Sequence, residues 1–365
     1  MKHPPMRYPV AVKSMGWARP SQEILNTDSP FQDLLEQDLI SSVWFRFWGI
    51  EKRALMDRAK DVAKDFALGA CREALKNADT KPDEVDLILT SLPSPIHRDE
   101  PNQVGKIVPR IGNVVRDELG AKNAVSWDVE MECLSFVLLM QLAVNFVQTG
   151  NYKRVLVCAT ETLSESLDFC SPLSSVFGDG SVAALVTAED NGGSLLASSY
   201  GASGEFYDVA TMRWRWPTKG LEGDIDRKRT DFSTYFTLAE NGRERMADFV
   251  PKTLPIVIRN VLDDSDLTVN EIDKVVFHQP GKVLVDGWAN AVAAECGSIE
   301  GKYPITLTNN GCLGSCALPT TLLSSIENGD IKPGDHVILA GLGIGWVYTA
   351  QLWQWGETKV SVTRI

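Results

Sequence analysis

The chain carries two copies of the same local pattern, and this duplication limits the folds open to it more than any other feature. Residues 75–89 align without gaps with residues 262–276, and each copy reads as the end of a helix, a polar loop and a short apolar strand. A second pair of stretches, 132–150 and 311–329, aligns in the same order at a nearly equal offset. Two such pairs predict a duplicated fold.

Each copy alternates apolar strands with helices that carry an apolar stripe. This alternation is typical of α/β proteins with mainly parallel sheets. We therefore predict a duplicated α/β fold, with an N-terminal half over residues 1–192 and a C-terminal half over residues 193–365. The 365 residues are enough for two domains of ordinary size.

Composition and charge exclude several classes of function. The 48 acidic residues against 36 basic residues give a net charge of −12, which disfavours a general binder of nucleic acid or of anionic membranes. The longest apolar run, 136–147, is interrupted by two polar residues and is shorter than the about 20 residues that a membrane span needs. The first residues lack the apolar segment of a signal peptide, so we expect a cytoplasmic protein with reduced cysteines. No spacing of cysteine and histidine predicts a metal site.

Cys133 is the candidate nucleophile. The apolar residues that follow it within 136–147 recur at helical spacing, so Cys133 lies at or just before the start of a helix. The unpaired N–H groups and the dipole at a helix start lower the pKa of a thiol and can hold an oxyanion. In the repeat, Cys312 takes the equivalent place. A buried structural cysteine is the alternative interpretation, and it is the one that we give to the remaining cysteines, Cys71, Cys158, Cys170, Cys296 and Cys316.

A nucleophilic cysteine usually needs a base, and His278 is the best placed of the four histidines. It directly follows the apolar strand 274–277, and functional sites of α/β sheets are built at strand ends. A loop histidine that makes a single backbone hydrogen bond is the alternative.

Two glycine-rich stretches are interpreted as turns and not as phosphate-binding loops. Gly341, Gly343 and Gly345 follow an apolar strand, but residues 346–355 alternate like a strand where a dinucleotide-binding fold has a helix. Residues 177–180 form a turn before another strand. We therefore expect no bound cofactor.

Taken together, these motifs resemble the ketoacyl-ACP synthase III family of the thiolase superfamily. The resemblance covers nearly the whole chain and is carried by residues 131–136, 177–180, 277–280 and 341–346. It implies the thiolase fold, a duplicated five-layered αβαβα arrangement, and catalysis through Cys133 and His278. It also implies that the N–H groups of Cys133 and of the Leu342–Gly343 turn hold the oxyanion while an acyl thioester is attacked.

Within this family, the chain resembles the condensing subunits of bacterial alkylquinolone synthases, for example over residues 206–211, 246–251 and 350–354. This similarity implies that a medium-chain acyl group passes from acyl-CoA or acyl-ACP to Cys133 and is then joined, with loss of carbon dioxide, to an aromatic β-keto acid such as 2-aminobenzoylacetate. It also implies a heteromer with a second, catalytically degenerate ketosynthase-like subunit. Acylation of a C, N or O nucleophile without decarboxylation and a non-catalytic partner role are the alternatives.

Two positions depart from the family pattern. Ungapped alignment places Cys312 at the position where ordinary members carry an asparagine. Asn309 and Asn310 are close to this position but out of register. Loss of that amide removes one of two donors to the enolate of a decarboxylating malonyl unit. Such a donor is worth about 3–4 kcal/mol, so we expect poor malonyl-ACP elongation. The arginine that ordinary members use near the CoA entrance aligns with Phe47, and Arg46 is one position away.

Overall fold

The computed structural model describes residues 8–94, 96–101, 103, 105–165, 167, 169, 171–215 and 233–365. Its strands are β1 (Ala11–Arg19), β2 (Glu23–Leu25), β3 (Lys52–Ala54), β4 (Leu87–Ser91), β5 (Val125–Asp128), β6 (Arg154–Glu161), β7 (Gly180–Thr187), β8 (Ser194–Ala202), β9 (Ala210–Arg215), β10 (Ser233–Leu238), β11 (Lys274–Phe277), β12 (His336–Gly343), β13 (Val347–Gln354) and β14 (Lys359–Arg364). Its helices are α1 (Phe31–Glu36), α2 (Ser42–Trp48), α3 (Ala63–Asn77), α4 (Ile111–Leu119), α5 (Ser135–Gln148), α6 (Gly242–Ser265), α7 (Lys282–Glu295), α8 (Leu307–Asn310) and α9 (Ala317–Glu327).

Two main sheets organise the chain, one in the order β14-β1-β7-β6-β4-β5 and the other in the order β11-β12-β13-β8. Parallel and antiparallel pairs are equally frequent between their described strands, so the prediction of mainly parallel pairing is wrong. The reason is local: β7 runs antiparallel to both of its neighbours, and β13 returns from β12 through a tight turn.

The sheets and helices stack in five layers. Helices α5 and α9 lie between the two sheets, α3 and α4 cover the outer face of the first sheet, and α6 and α7 cover the second. Because alternate side chains of a strand point to opposite faces, Leu87 and Leu89 of β4 pack in the central core while Ile88 packs against α3. The predicted duplicated five-layered thiolase fold is confirmed.

The first repeated pair is present in the structure as predicted. Helices α3 and α6 are followed by Asp79 and Asp266, both in the left-handed backbone region with φ of +50° and +57°. A one-turn 3-10 helix comes next in each copy, Pro82–Glu84 and Val269–Glu271, and leads into β4 or β11.

The second repeated pair is present with a different register at its start. One-turn 3-10 helices, Glu132–Leu134 and Gly314–Cys316, immediately precede α5 and α9, so the counterpart of Cys133 is Ser315. The prediction that Cys312 holds the equivalent place is therefore wrong. The cause is that α9, with 11 residues, is shorter than α5, with 14, so aligning the two helix ends shifts their starts.

One strand of the predicted C-terminal half, β14, belongs to the first sheet. β8 opens in the second sheet at Ser194, directly after the predicted boundary between residues 192 and 193, but β14 returns to the first sheet beside β1. The boundary itself stays a prediction. Within the described ranges, we find no helix with both the length and the apolar character that crossing a membrane requires. Cys170 lies outside the described residues.

Candidate active site

Cys133 lies in the 3-10 turn that leads into α5, at the helix start that the sequence predicted. The preceding residue, Glu132, adopts φ of +49°, a conformation that costs a non-glycine residue about 1–2 kcal/mol. The Ser135 hydroxyl accepts the N–H of Met131 at 2.8 Å and donates to the Glu132 carbonyl at 2.8 Å, which fixes the turn. Residue Cys133 is half-buried, whereas Cys312 is buried.

His278 directly follows β11 and is buried. Its N–H donates to the Ala340 carbonyl of β12 at 2.8 Å, which ties the residue to the neighbouring strand. The next residue, Gln279, is held on both sides of its amide, by donation to the Pro304 carbonyl and acceptance of the N–H of Thr306. The Nδ1 atom of His278 has no hydrogen-bond partner.

The carboxyl end of β12 brings the histidine and the cysteine turn together. A Cβ atom added at Gly341 would lie 2.7 Å from the Cβ of His278 and 2.7 Å from Cδ2 of Leu134, the residue after the nucleophile. Two residues further, the same position at Gly343 would lie 3.5 Å from the backbone nitrogen of Cys133. The strand end is therefore the common support of Cys133 and His278, and only a residue without a side chain fits between them at position 341.

Burial favours the protonated form of the Cys133 thiol. Burial raises its pKa to about 12, and Glu161 in its charged form adds to that rise, while the N–H groups of Ile344 and Cys133 itself act in the opposite direction. This corrects the expectation that the helix start lowers the thiol's pKa, because desolvation outweighs the hydrogen bonds here.

Burial lowers the pKa of the base, because burial disfavours the charged form and the charged form of histidine is a cation. The pKa of His278 is lowered to about 3, so its imidazole is neutral at pH 7. Both shifts favour a neutral thiol and a neutral imidazole over an ion pair in the resting site. A neutral imidazole can accept the thiol proton as the sulfur attacks a substrate, which is general-base assistance.

The turn between β12 and β13 supplies an N–H group to the sulfur. The predicted strand-turn-strand is present, with Trp346 N–H donating to the Gly343 carbonyl at 3.0 Å. The N–H of this turn that lowers the pKa of the Cys133 thiol belongs to Ile344, which sequence reasoning missed because it pointed to Leu342 and Gly343. The roles of Leu342 and Gly343 as oxyanion donors stay a prediction.

The backbone of Cys312 is hydrogen-bonded to residues 176 and 178, at the start of the turn 177–180. Its N–H donates to the Val176 carbonyl at 2.8 Å and its carbonyl accepts the N–H of Gly178 at 3.0 Å. Burial raises the pKa of the Cys312 thiol, and Cys133 contributes to that rise, so the two thiols are electrostatic neighbours. Asn310, the fallback for the missing amide, donates instead to the Thr306 carbonyl at 3.0 Å.

Glu161 is a second residue of this site that sequence reasoning did not find. It is the last residue of β6, is buried, and accepts hydrogen bonds from Ser315. An acidic residue at the carboxyl end of a mostly apolar strand was the only signal in the sequence. Among the residues that the structure describes, we find no group of three or more histidine, cysteine, aspartate or glutamate side chains that could bind a metal ion.

A duplicated five-layered fold with a cysteine at one central helix start and a histidine at the adjoining strand end defines the class of thiolase-fold acyltransferases and condensing enzymes. Models of the two parts of 3-oxoacyl-[acyl-carrier-protein] synthase III match residues 127–204 and 262–355. The chain is 36% identical, over 93% of its own length and 96% of the relative's, to the 2-heptyl-4(1H)-quinolone synthase subunit PqsC of Pseudomonas aeruginosa. The chain belongs to the ketoacyl-ACP synthase III family, as its motifs predicted.

A further relative agrees with this family, and solved structures share the fold. The β-ketoacyl-[acyl-carrier-protein] synthase III of Acaryochloris marina is 29% identical over 84% of this chain and 87% of that protein. The crystal structure of the priming β-ketosynthase from the R1128 polyketide biosynthetic pathway superposes with a TM-score of 0.78, at 23% identity, and covers 98% of this chain and 99% of that one. The synthase III of Aquifex aeolicus gives a TM-score of 0.75 at 24% identity, covering 94% and 98% of the two chains.

Proposed function

We propose that this protein transfers a medium-chain acyl group from an acyl thioester, acyl-CoA or acyl-ACP, to Cys133 and joins it to an aromatic β-keto acid such as 2-aminobenzoylacetate with loss of carbon dioxide. The observation that carries this proposal is the convergence of β12 on both the Cys133 turn and His278. The similarity to a quinolone synthase subunit over nearly the whole chain supports the choice of acceptor.

In the first half-reaction, the Cys133 sulfur attacks the thioester carbonyl carbon while its proton passes to the neutral imidazole of His278. The oxyanion that forms is stabilised by backbone N–H groups, those of Cys133 and of the turn after β12. Collapse of this intermediate breaks the bond to the donor sulfur, which takes the proton back from the imidazolium. The products are the acyl-enzyme and the free thiol of the carrier.

In the second half-reaction, the β-keto acid loses carbon dioxide, and the electron pair of the broken bond remains on the α-carbon as an enolate. This carbon attacks the acyl carbonyl, the new C–C bond forms, and the Cys133 thiolate leaves and takes up one proton. The product is a 1,3-diketone whose aromatic amine can attack a ketone and close a ring.

The residue beside the nucleophile favours an acceptor that decarboxylates readily. Cys312 stands where an amide is expected, and a buried thiol is a weak donor to an enolate oxygen. An aromatic β-keto acid needs less stabilisation from the site than a malonyl thioester does. Acylation of another nucleophile without decarboxylation is the second candidate, because it would use the same acyl-enzyme.

A partner subunit is part of the proposal, and the β5 edge of the first sheet is the surface that we propose for its binding. β5 is the last strand of the described sheet, and its Val125 and Trp127 side chains are 44% and 41% exposed. An unpaired strand edge with exposed apolar side chains invites pairing with another chain. We propose that a second ketosynthase-like subunit covers this edge, and that the complex works in the cytoplasm.

Product analysis with a medium-chain acyl-CoA and carboxyl-labelled 2-aminobenzoylacetate tests the reaction. We expect labelled carbon dioxide to be released in step with a product that has lost the carboxyl mass, and no turnover by Cys133→Ala. A product that retains the carboxyl group would contradict the condensation and support the second candidate.

Replacing Cys312 by asparagine tests the account of the acceptor. The added amide should raise malonyl-CoA decarboxylation by about 10-fold or more, since one oxyanion donor is typically worth about 100- to 1,000-fold. Cys312→Ala is the matched control, because it removes the thiol without supplying a donor. Equal decarboxylation by the asparagine and alanine variants would contradict the account.

A further inference from the structure

Glu161 is a buried acidic residue that the proposed acyl transfer does not use. The side chain is 3% exposed, and its Oε2 atom accepts the N–H of Ser315 at 3.0 Å and the hydroxyl of Ser315 at 3.2 Å. The charged groups that act on it, Glu130 and Asp179, are themselves acidic. Burial among like charges is costly for a carboxylate, so this residue needs an explanation.

The fold places Glu161 beside the nucleophile through the duplication. Ser315, which holds the carboxyl group, is the structural counterpart of Cys133, and the two 3-10 turns pack against each other. A Cβ atom at Gly314 would lie 2.1 Å from Oε2 of Glu161, so the carboxyl group sits directly on the backbone of the second turn. One helix start therefore carries the thiol, and the adjoining one carries a carboxyl group.

Glu161 acts electrostatically on the thiols around it. Burial raises the pKa of Glu161 to about 8, with Glu130 and Asp179 adding to the rise and Ser315 opposing it. The carboxylate in turn raises the pKa of the thiols of Cys133, Cys312 and Cys316. The raised pKa favours the neutral form of Glu161 near neutral pH, and the carboxylate forms as the pH rises further.

We propose that Glu161 is a positioning residue that sets the protonation state of Cys133: its neutral carboxyl group permits the sulfur to lose its proton, and its carboxylate suppresses thiolate formation. This inference rests on the proposed function in that Cys133 is the acylated residue. The reactivity of an ordinary thiol increases with pH because more thiolate forms. At Cys133 this increase should be smaller above neutral pH, because a negative charge forms on Glu161 beside the sulfur.

Alkylation of Cys133 by iodoacetamide, followed by peptide mass analysis between pH 6.5 and 9.5, tests this inference. The rate reports thiolate, and it needs no acyl donor. Wild type and Glu161→Gln should react at similar rates at pH 6.5. At pH 9.5 the glutamine variant should react about 10-fold or more faster, because the charge of a neighbouring carboxylate acts strongly in a buried site. Glu161→Asp, which keeps the charge, should follow the wild type.

A second variant keeps the test decisive if Glu161→Gln does not fold. Ser315→Ala removes a hydroxyl donor that stabilises the carboxylate, so the bend in the pH profile should move to higher pH. Superimposable profiles for wild type and Glu161→Gln, or an unmoved bend in Ser315→Ala, would overturn the inference. The profiles could differ as expected while Cys133 accepts no acyl group. That result would support the role of Glu161 and contradict the proposed function.

Discussion

Glu132 and Gly314 adopt the same left-handed backbone conformation, with φ of +49° in both, one residue before Cys133 and Ser315. The two turns are copies of one structure at the centre of the molecule, and each begins a helix that lies between the sheets. Glycine adopts this conformation without a steric penalty, whereas the Cβ atom of a glutamate does not. The copy that carries the nucleophile therefore holds backbone strain that the other copy lacks.

Releasing that strain should stabilise the protein. We expect Glu132→Gly to raise the free energy of unfolding by about 1 kcal/mol, because glycine relieves the left-handed penalty. Urea unfolding measures the change. Glu132→Ala is the matched control, since it removes the same carboxylate and keeps the Cβ atom. A glycine variant no more stable than the alanine variant would show that the turn is unstrained.

The glycines at the end of β12 should differ in their tolerance of a methyl group. Gly341→Ala places a Cβ atom 2.7 Å from both His278 and Leu134, so we expect a loss of about 1–3 kcal/mol in unfolding free energy and slower acylation. Gly343→Ala meets its neighbours at 3.5 Å or more and should change stability by less than about 1 kcal/mol. Equal effects in urea unfolding would contradict the described packing of the strand end.

The buried His278 should make the protein sensitive to mild acid. Its pKa is about 3 in the folded chain and 6.5 as an ordinary histidine, so the unfolded chain takes up the proton first and stability falls as the pH drops below 6.5. Between pH 7.5 and 5.0 the loss amounts to about 2 kcal/mol. His278→Gln should remove that part of the pH dependence, and His336→Gln should not. Identical pH profiles of unfolding free energy for wild type and His278→Gln would show that the imidazole is solvated.

The β5 edge should control association with the partner. Lysine in place of Val125 or Trp127 puts a charge where a second chain is proposed to pair, so we expect the complex to dissociate to the 40.2 kDa chain. Sedimentation velocity of the protein purified with its partner measures the mass. Tyr207→Lys, another exposed aromatic position, is the control. A complex that survives both β5 substitutions would place the interface elsewhere.

Much of the fold could be predicted because duplication leaves a signal that one sequence is enough to reveal. The spacing of apolar residues alone predicts the helix start at Cys133 and the strand before His278. A helix buried on one face and a strand buried on both faces each have a characteristic apolar spacing. The register of the second copy could not be predicted. Aligning Gly150 with Gly329 is correct at the helix ends, but α9 is shorter than α5, and only the backbone shows that Ser315 and not Cys312 matches Cys133.

The electrostatics of the site could be predicted only in part. A helix start lowers a thiol's pKa in isolation, but Cys133 is also desolvated and lies beside Glu161, and both effects depend on packing between distant segments. The same holds for the Ile344 N–H, whose direction is set by the turn geometry rather than by the glycine spacing. Residue types identified the candidate chemistry, and three-dimensional packing determined the resting charges.

Intact-protein mass spectrometry after incubation with a series of acyl-CoAs tests the central claim most directly, because it weighs the acyl group on the protein. We predict that the wild type gains the mass of one medium-chain acyl group, on the peptide that contains Cys133, and that Cys133→Ala gains none. Full acylation of Cys133→Ala would contradict the assignment of the nucleophile and the two-step mechanism built on it.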